Sequence, residues 1–165
     1  MASIWKAKQG TGDPFASYWL GLAAAFLLLS LDEVAMLHET MGTTFALVTQ
    51  TDLKGVLLYP WVVPGLLLLG CFGLAYARFL LHLPRRTATL FVVAGAVFVA
   101  GAVGVEMLNA RHHDLYGNTN LHYSLLTAFE EFLEMTGIVI FAAALVSYAR
   151  VEVGYRIEMP SECEA

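Results

Sequence analysis

Residues 18–48 read YWLGLAAAFLLLSLDEVAMLHETMGTTFALV, an apolar block that carries acids only toward its far end. As a helix, a block of this length crosses the roughly 30 Å hydrocarbon layer of a membrane. Three further apolar blocks follow in the chain, separated by turn and breaker residues. The pattern predicts an all-α integral membrane protein, an antiparallel four-helix bundle forming one domain over residues 1–165. The predicted spans are about 18–48, 59–83, 87–110 and 123–149.

The composition agrees with a membrane protein. Hydrophobic residues make up 58% of the chain and charged residues 14%, whereas about a quarter of the residues in soluble domains are charged. The formal net charge of −5 argues against a partner with a negative backbone. The lipid bilayer is therefore the expected surrounding, and nucleic acid is excluded as a partner.

Basic residues predict the orientation of the spans. One predicted side holds only Lys54 and Arg111, and the other holds Lys6, Lys8, Arg78, Arg85, Arg86, Arg150 and Arg156. Because basic loops stay in the cytoplasm, we expect a multi-pass protein of the plasma (inner) membrane with both termini cytoplasmic. Aromatic residues prefer the lipid headgroup zone, and the block ends carry Tyr18, Trp19, Tyr59, Trp61, Tyr123 and Tyr148.

The acids of the first span are spread over more than one helix face. At about 100° per residue, Asp32 and Glu39 lie on one face together with Met36. Glu33 is rotated about 100° from Asp32, and His38 about 100° from Glu39. A straight helix would point Glu33 and His38 away from a shared site, and only a bend would bring them in.

The third and fourth spans carry acids at the same depth as the first. Glu106 and His113 are seven residues apart and share a face of the third span. Glu130 and Glu134 share a face of the fourth span, with Glu131 on its shoulder. The first and third spans exit on the side where the fourth enters, so we expect their acidic ends to meet in the outer leaflet.

Such a cluster needs compensation, since a charged carboxylate in hydrocarbon costs at least a few kcal/mol. Arg111 can form an ion pair with one acid. The other carboxylates must be protonated, solvated in a water-filled vestibule or neutralised by metal cations. Inward-facing carboxylates and imidazoles in a four-helix bundle are the ligands of di-iron and di-manganese sites. We therefore expect a transition metal, iron or manganese first, with zinc or copper as alternatives. The predicted ligands are Asp32, Glu39, Glu106, His113, Glu130 and Glu134. His38, Glu33 and Glu131 are second-choice candidates.

Two sequence strings carry a resemblance. LDE at 31–33 with HE at 38–39, and EEFLEMTG at 130–137, resemble strings of small, uncharacterised bacterial four-span membrane proteins. More loosely, the chain is similar to membrane-associated di-iron carboxylate oxidases and hydroxylases, whose helices carry Glu and paired Glu-x-x-His motifs. Here Glu39, Glu106 and Glu134 are each followed three residues later by a residue other than His. A metal-bound imidazole would then come from His113 or His38.

These features predict a di-metal oxidoreductase acting on a lipid-soluble substrate that enters between helices. Two other classes stay open: a cation or proton translocation protein, and a non-catalytic accessory subunit of a larger membrane complex. The chain could act as a homo-oligomer in any of them. Translocation needs a polar path across the membrane, and the inner halves of spans two to four are apolar apart from Arg78. That pattern argues against translocation.

Overall fold

The computed structural model describes residues 1–51, 53–152 and 154, and all regular structure within these ranges is helical. A π-helical segment, Ala100–Val105, joins α5 to α6, and a 3₁₀ turn covers Gly55–Leu57. The predicted all-α class is confirmed. Arg156, one of the basic residues used for orientation, lies outside the described residues. The α-helices are α1 (Ala2–Gly10), α2 (Ala16–Ala35), α3 (Leu37–Thr49), α4 (Val62–His82), α5 (Arg85–Val99), α6 (Glu106–Tyr116) and α7 (Leu121–Glu152).

Four helical stretches among the described residues are long and apolar enough to cross a membrane. The third runs on to Tyr116, beyond the predicted end near residue 110. The stretches are antiparallel: Asp13 lies beside His82 at one end, and Tyr59 lies beside His113 at the other. We name these the terminal end, which carries α1, and the loop end, which carries the connections 36–61 and 117–120. The four stretches are Ala16–Ala35, Val62–His82, Arg85–Tyr116 and Leu121–Val151.

The first predicted span is not one helix. It breaks at Met36, whose backbone adopts the left-handed conformation at φ 49° and ψ 45°. That conformation is uncommon for a residue with a side chain. The prediction of a continuous helix over 18–48 is therefore wrong, and the phase relations expected across Met36 for a straight helix do not hold.

The hydrophobic core lies in the terminal half of the bundle. Trp19, which is 1% exposed, stacks on Tyr148 with ring centroids 4.8 Å apart. Both rings are buried, so they pack inside the protein and do not face lipid headgroups. The core cluster also contains Ile4, Leu22, Phe79, Leu83, Phe91, Ala94, Phe141 and Ala144.

Helix α1 forms in the polar N-terminal segment, where the sequence pattern predicts no helix. Its Ile4 is buried against the core cluster, and Lys8 lies 3.6 Å from Asp13 and 5.6 Å above the ring of Tyr148. Apolar side chains (Ile4, with Met1 and Trp5 packed beside it) and one lysine thus hold this short helix across the terminal end.

Candidate functional site

The site begins at the loop end, where Trp61 contacts Glu106. The indole Nε1–H of Trp61 donates a 3.0 Å hydrogen bond to Glu106 Oε1. Trp61 directly precedes α4, and Gly42 of α3 packs against it: a Cβ at Gly42 would lie 2.7 Å from the Trp61 backbone nitrogen. The missing side chain at Gly42 therefore lets α3 lie close to the residue that binds Glu106.

Glu106 comes directly after the π-helical segment. Such segments shift the phase of the adjoining helix and are frequent at functional sites. Gly101, inside the segment, is buried against α7, where a Cβ would lie 2.8 Å from the Glu130 carbonyl oxygen and 3.2 Å from Glu134 Cγ. The segment and its glycine thus bring Glu106 and the acidic stretch of α7 to the same level.

Glu106, Glu130 and Glu134 form what we call the acidic cluster. Glu130 is in electrostatic range of the other two, and Glu106 is in range of Glu134. All three are half-buried. Glu130 and Glu134 are one helical turn apart and so share a face of α7, as predicted. Three carboxylates from two helices are therefore neighbours in one partly desolvated region.

His38 joins this region because the first span bends. Its backbone N–H donates to Asp32 Oδ1 at 2.7 Å, and its ring Nδ1 lies 2.8 Å from Asp32 Oδ2. The ring packs against Trp61 with centroids 5.2 Å apart, and it lies close enough to interact electrostatically with Glu106 and Glu134. The sequence pattern predicts Asp32 as a first-choice metal ligand and His38 as a second-choice ligand. In the structure, both carboxylate oxygens of Asp32 are bound by His38.

Asn109 lies one turn from Glu106 and is 3% exposed. Its Nδ2 donates a 2.8 Å hydrogen bond to Thr127 Oγ1, but its buried Oδ1 has no partner. The amide also lies within reach of the Glu130 side chain. An unpaired buried carbonyl costs about 1–3 kcal/mol, so this oxygen calls for a donor or a cation.

His113 is placed apart from the acidic cluster. Its Nδ1 lies 3.1 Å from the Tyr59 hydroxyl, which in turn lies 3.1 Å from the Tyr123 hydroxyl. Burial raises the pKa of Tyr59 above its ordinary value, and Tyr123 and the charges of Glu106 and Glu130 raise it further. Tyr59 therefore stays a neutral phenol between His113 and the two carboxylates.

The remaining predicted ligands are exposed. Glu33, Glu39 and Glu131 all face outward, although Glu39 is in electrostatic range of Glu106, and Glu33 and Glu131 of Glu134. Arg111, the predicted cationic partner, is also exposed and forms no ion pair with the acids that the structure describes. Within the described ranges, His38 is thus the basic side chain that lies near the acidic cluster.

The described residues contain no group of three or more His, Cys, Asp or Glu side chains arranged to hold a metal ion. The carboxylates are electrostatic neighbours, but they do not converge on one point.

Trp61 and Tyr59 are parts of the site that the sequence pattern does not indicate. Their position at a block end assigns both to the headgroup zone. One feature of the sequence could have indicated their role: Trp61 and Tyr59 lie at the end of the second span that is at the same depth as the acids of the other spans. Asn109 falls only at the edge of the Glu106 face in the sequence pattern, although its amide is the most buried polar group near the cluster.

The chain belongs to the family described as "Domain of unknown function (DUF8692)", whose model matches residues 1–148. The match includes the bend at Met36, the π-helical segment and the acidic cluster. No curated protein and no solved structure matches the chain.

Proposed function

We propose that the acidic cluster binds one or two divalent transition-metal ions, iron or manganese first, and that the protein is an oxidoreductase acting on a lipid-soluble substrate. One observation carries the proposal. Glu106, Glu130 and Glu134 are neighbours in a partly desolvated region, and none of them pairs with Lys or Arg among the described residues.

The electrostatics favour a bound cation. Two like charges about 4 Å apart repel by about 4 kcal/mol at an effective dielectric constant of about 20, so three ionised carboxylates are costly without compensation. Each divalent ion cancels two negative charges. The proposal therefore explains how a bundle could keep three acids at this depth.

The donor set suits the proposed metals. Carboxylates combined with an imidazole favour iron, manganese or zinc over calcium or magnesium. Glu106, Glu130, Glu134 and His38 would supply the ligands, and the unpaired Oδ1 of Asn109 offers one more oxygen. A bound ion of this kind would supply electron-transfer chemistry. The chain itself would hold it, neutralise it and limit the access of water.

The surroundings of the cluster support a substrate from the bilayer. Glu130 and Glu134 are half-buried, and their neighbours Phe129 and Phe132 are more than half exposed on the surface of α7. A ligand moving in the hydrocarbon can therefore approach the cluster from the side, between helices.

A second candidate is a site neutralised by protons alone. It is favoured by the absence, within the described ranges, of three groups arranged around one point. A protonated Glu130 could donate to Asn109 Oδ1, which would satisfy that atom without metal. Transport across the membrane is less favoured, because Phe26, Phe91 and Phe141 pack together below the cluster with ring centroids about 4.5 Å apart.

Metal analysis decides between the two candidates. Protein purified without chelators, and then loaded with Fe²⁺ or Mn²⁺ and desalted, should retain about one or two ions per chain. Glu130→Gln and Glu134→Gln should each lower the retained metal at least about tenfold. Glu131→Gln, which removes the same charge from an exposed neighbour, should keep the wild-type content.

Two results would count against the metal proposal. Wild-type protein that retains less than about 0.1 ion per chain after loading would promote the proton-neutralised site. An equal loss of metal in the Glu131→Gln control would show that binding follows net charge and not the cluster.

The proposal includes an orientation, with both termini in the cytoplasm and the acidic cluster in the outer half of the membrane. Its support is the excess of basic residues on the side of the termini. Reporter fusions at residue 165 and within residues 112–120 test it. Cytoplasmic signal at residue 165 and extracytoplasmic signal in the loop are expected, and the reverse pattern would refute the orientation.

A further inference from the structure

The break in the first span is bridged by a single carboxylate. Helix α2 ends at Ala35 and α3 begins at Leu37, with Met36 in the left-handed conformation between them. Asp32, on the last turn of α2, binds the backbone N–H of His38 with Oδ1 and the His38 ring Nδ1 with Oδ2, at 2.7 and 2.8 Å. Both oxygens of Asp32 are thus used by one residue on the far side of the break.

We propose that Asp32 is a positioning residue that fixes the tautomer and ring orientation of His38, so that Nε2 is left as the nitrogen with a free lone pair. An ionised carboxylate can only accept hydrogen bonds, so the proton of a neutral imidazole must lie on Nδ1. Nε2 is then the free base. That Nε2 serves as a metal ligand rests on the proposed function, whereas the tautomer itself does not.

The position of the His38 ring supports this role. The ring packs edge-on against Trp61, at 65° between the ring planes, and Trp61 holds Glu106 through its indole N–H. His38 therefore lies on the side of α3 that faces the acidic cluster. A carboxylate that binds the second ring nitrogen is the usual companion of a metal-bound histidine, because it sets the tautomer and raises the basicity of the ligand.

A purely structural role for Asp32 would need only one of the two bonds. Accepting the backbone N–H of His38 is enough to bridge the first turn of α3, as a capping side chain does. The bond to the ring adds nothing to that bridge. An Asn at position 32 separates the roles, because its Oδ1 can still accept the backbone N–H while its amide N–H₂ donates to the ring Nδ1. Donation to Nδ1 forces the imidazole proton onto Nε2.

The test reads the tautomer directly. Protein with ¹⁵N-labelled histidines is prepared metal-free in lipid nanodiscs at one fixed pH of about 8. Long-range ¹H–¹⁵N spectra distinguish the protonated from the unprotonated ring nitrogen, and the His38→Gln variant identifies the His38 signals. We expect Nδ1–H in the wild type, exchange of the two nitrogen signals in Asp32→Asn, and the wild-type pattern in Glu33→Gln.

The inference is overturned if wild-type His38 shows Nε2–H, a mixture of tautomers or a doubly protonated ring. It is also overturned if a folded Asp32→Asn variant keeps the wild-type pattern. If that variant does not fold, the wild-type spectrum still decides. Adding Zn²⁺ alone then tests the proposed function separately: an Nδ1–H tautomer with no shift of the Nε2 signal would leave Asp32 its role and reject the metal.

Discussion

Two buried glycines set how closely the third and fourth membrane stretches approach. A Cβ at Gly137 of α7 would lie 2.8 Å from the Ala94 carbonyl oxygen and 2.8 Å from the Phe98 backbone nitrogen. Gly101 makes the reciprocal contact from the π-helical segment. Backbone atoms cannot move aside as the tip of a long side chain can, so these two positions exclude even a methyl group.

We therefore expect Gly137→Ala to lower the free energy of unfolding by about 1–3 kcal/mol, the usual cost of overpacking. Gly95→Ala is the matched control, because a Cβ there meets nothing within 4 Å and Ala is the better helix former. Unfolding in mixed detergent micelles measures both. A Gly137→Ala variant as stable as Gly95→Ala would refute the close approach of α5 and α7.

Asp13 makes stability at the terminal end depend on pH. Burial disfavours its carboxylate, but the Phe15 N–H at 2.8 Å, His82 and Lys8 outweigh that effect, so the pKa of Asp13 lies below its ordinary 3.8. A carboxyl group whose pKa is lower in the folded state stabilises the fold at pH values above its unfolded-state pKa. This stabilisation is lost as the pH falls through its folded-state pKa.

Asp13→Asn should therefore cost roughly 1 kcal/mol at neutral pH. The difference from wild type should persist down to about pH 4 and shrink below it, as Asp13 itself becomes protonated. Unfolding curves of both proteins over this pH range give the measurement. A difference that stays constant to about pH 3 would contradict the assigned role of the Asp13 carboxylate.

At the scale of elements, the bend between α2 and α3 matters most for the site. It rotates His38 toward the acidic cluster, which a straight helix would not do. Met36 carries the cost, since a left-handed conformation is unfavourable by roughly 1 kcal/mol for a residue with a Cβ. The bond from the His38 backbone N–H to Asp32 Oδ1 opposes that cost.

Met36→Gly distinguishes a bent from a straight first span by the sign of its effect. At a left-handed position Gly removes the strain, so the variant should match or exceed wild-type stability by up to about 1 kcal/mol. Within a continuous helix Gly would instead cost about 1 kcal/mol. Ala35→Gly, one residue earlier and inside α2, is expected to destabilise and serves as the control. A loss in Met36→Gly equal to that of the control would refute the bend.

The number of membrane-spanning stretches was predictable from the lengths of the apolar blocks. The common depth of the acids was predictable from their positions within those blocks. The bend was not, since Ala35, Met36 and Leu37 are all good helix formers and no Pro or Gly marks the break. It is bridged by a hydrogen bond from the His38 backbone N–H to Asp32 Oδ1, a contact that helix propensity does not indicate. The π-helical segment was equally hidden, because small residues such as Gly101 and Gly104 also occur in ordinary membrane-spanning α-helices.

At the scale of the whole molecule, the bundle is divided into two halves. The terminal half is a packed aromatic and aliphatic core around Trp19 and Phe79, and α1 covers its end. The loop half holds the acidic cluster, the bent first span and the π-helical segment. The packed terminal half thus supports the half that carries the proposed binding site.

Anomalous X-ray diffraction at the metal absorption edge tests the central claim most directly. Crystals of wild-type protein loaded with Mn²⁺ should show an anomalous peak at the acidic cluster, bound by carboxylate oxygens of Glu106, Glu130 or Glu134. The same data from Glu130→Gln crystals should lose that peak. A wild-type map with no anomalous density at these carboxylates, or with density only at exposed acids such as Glu131, would contradict the proposed metal site.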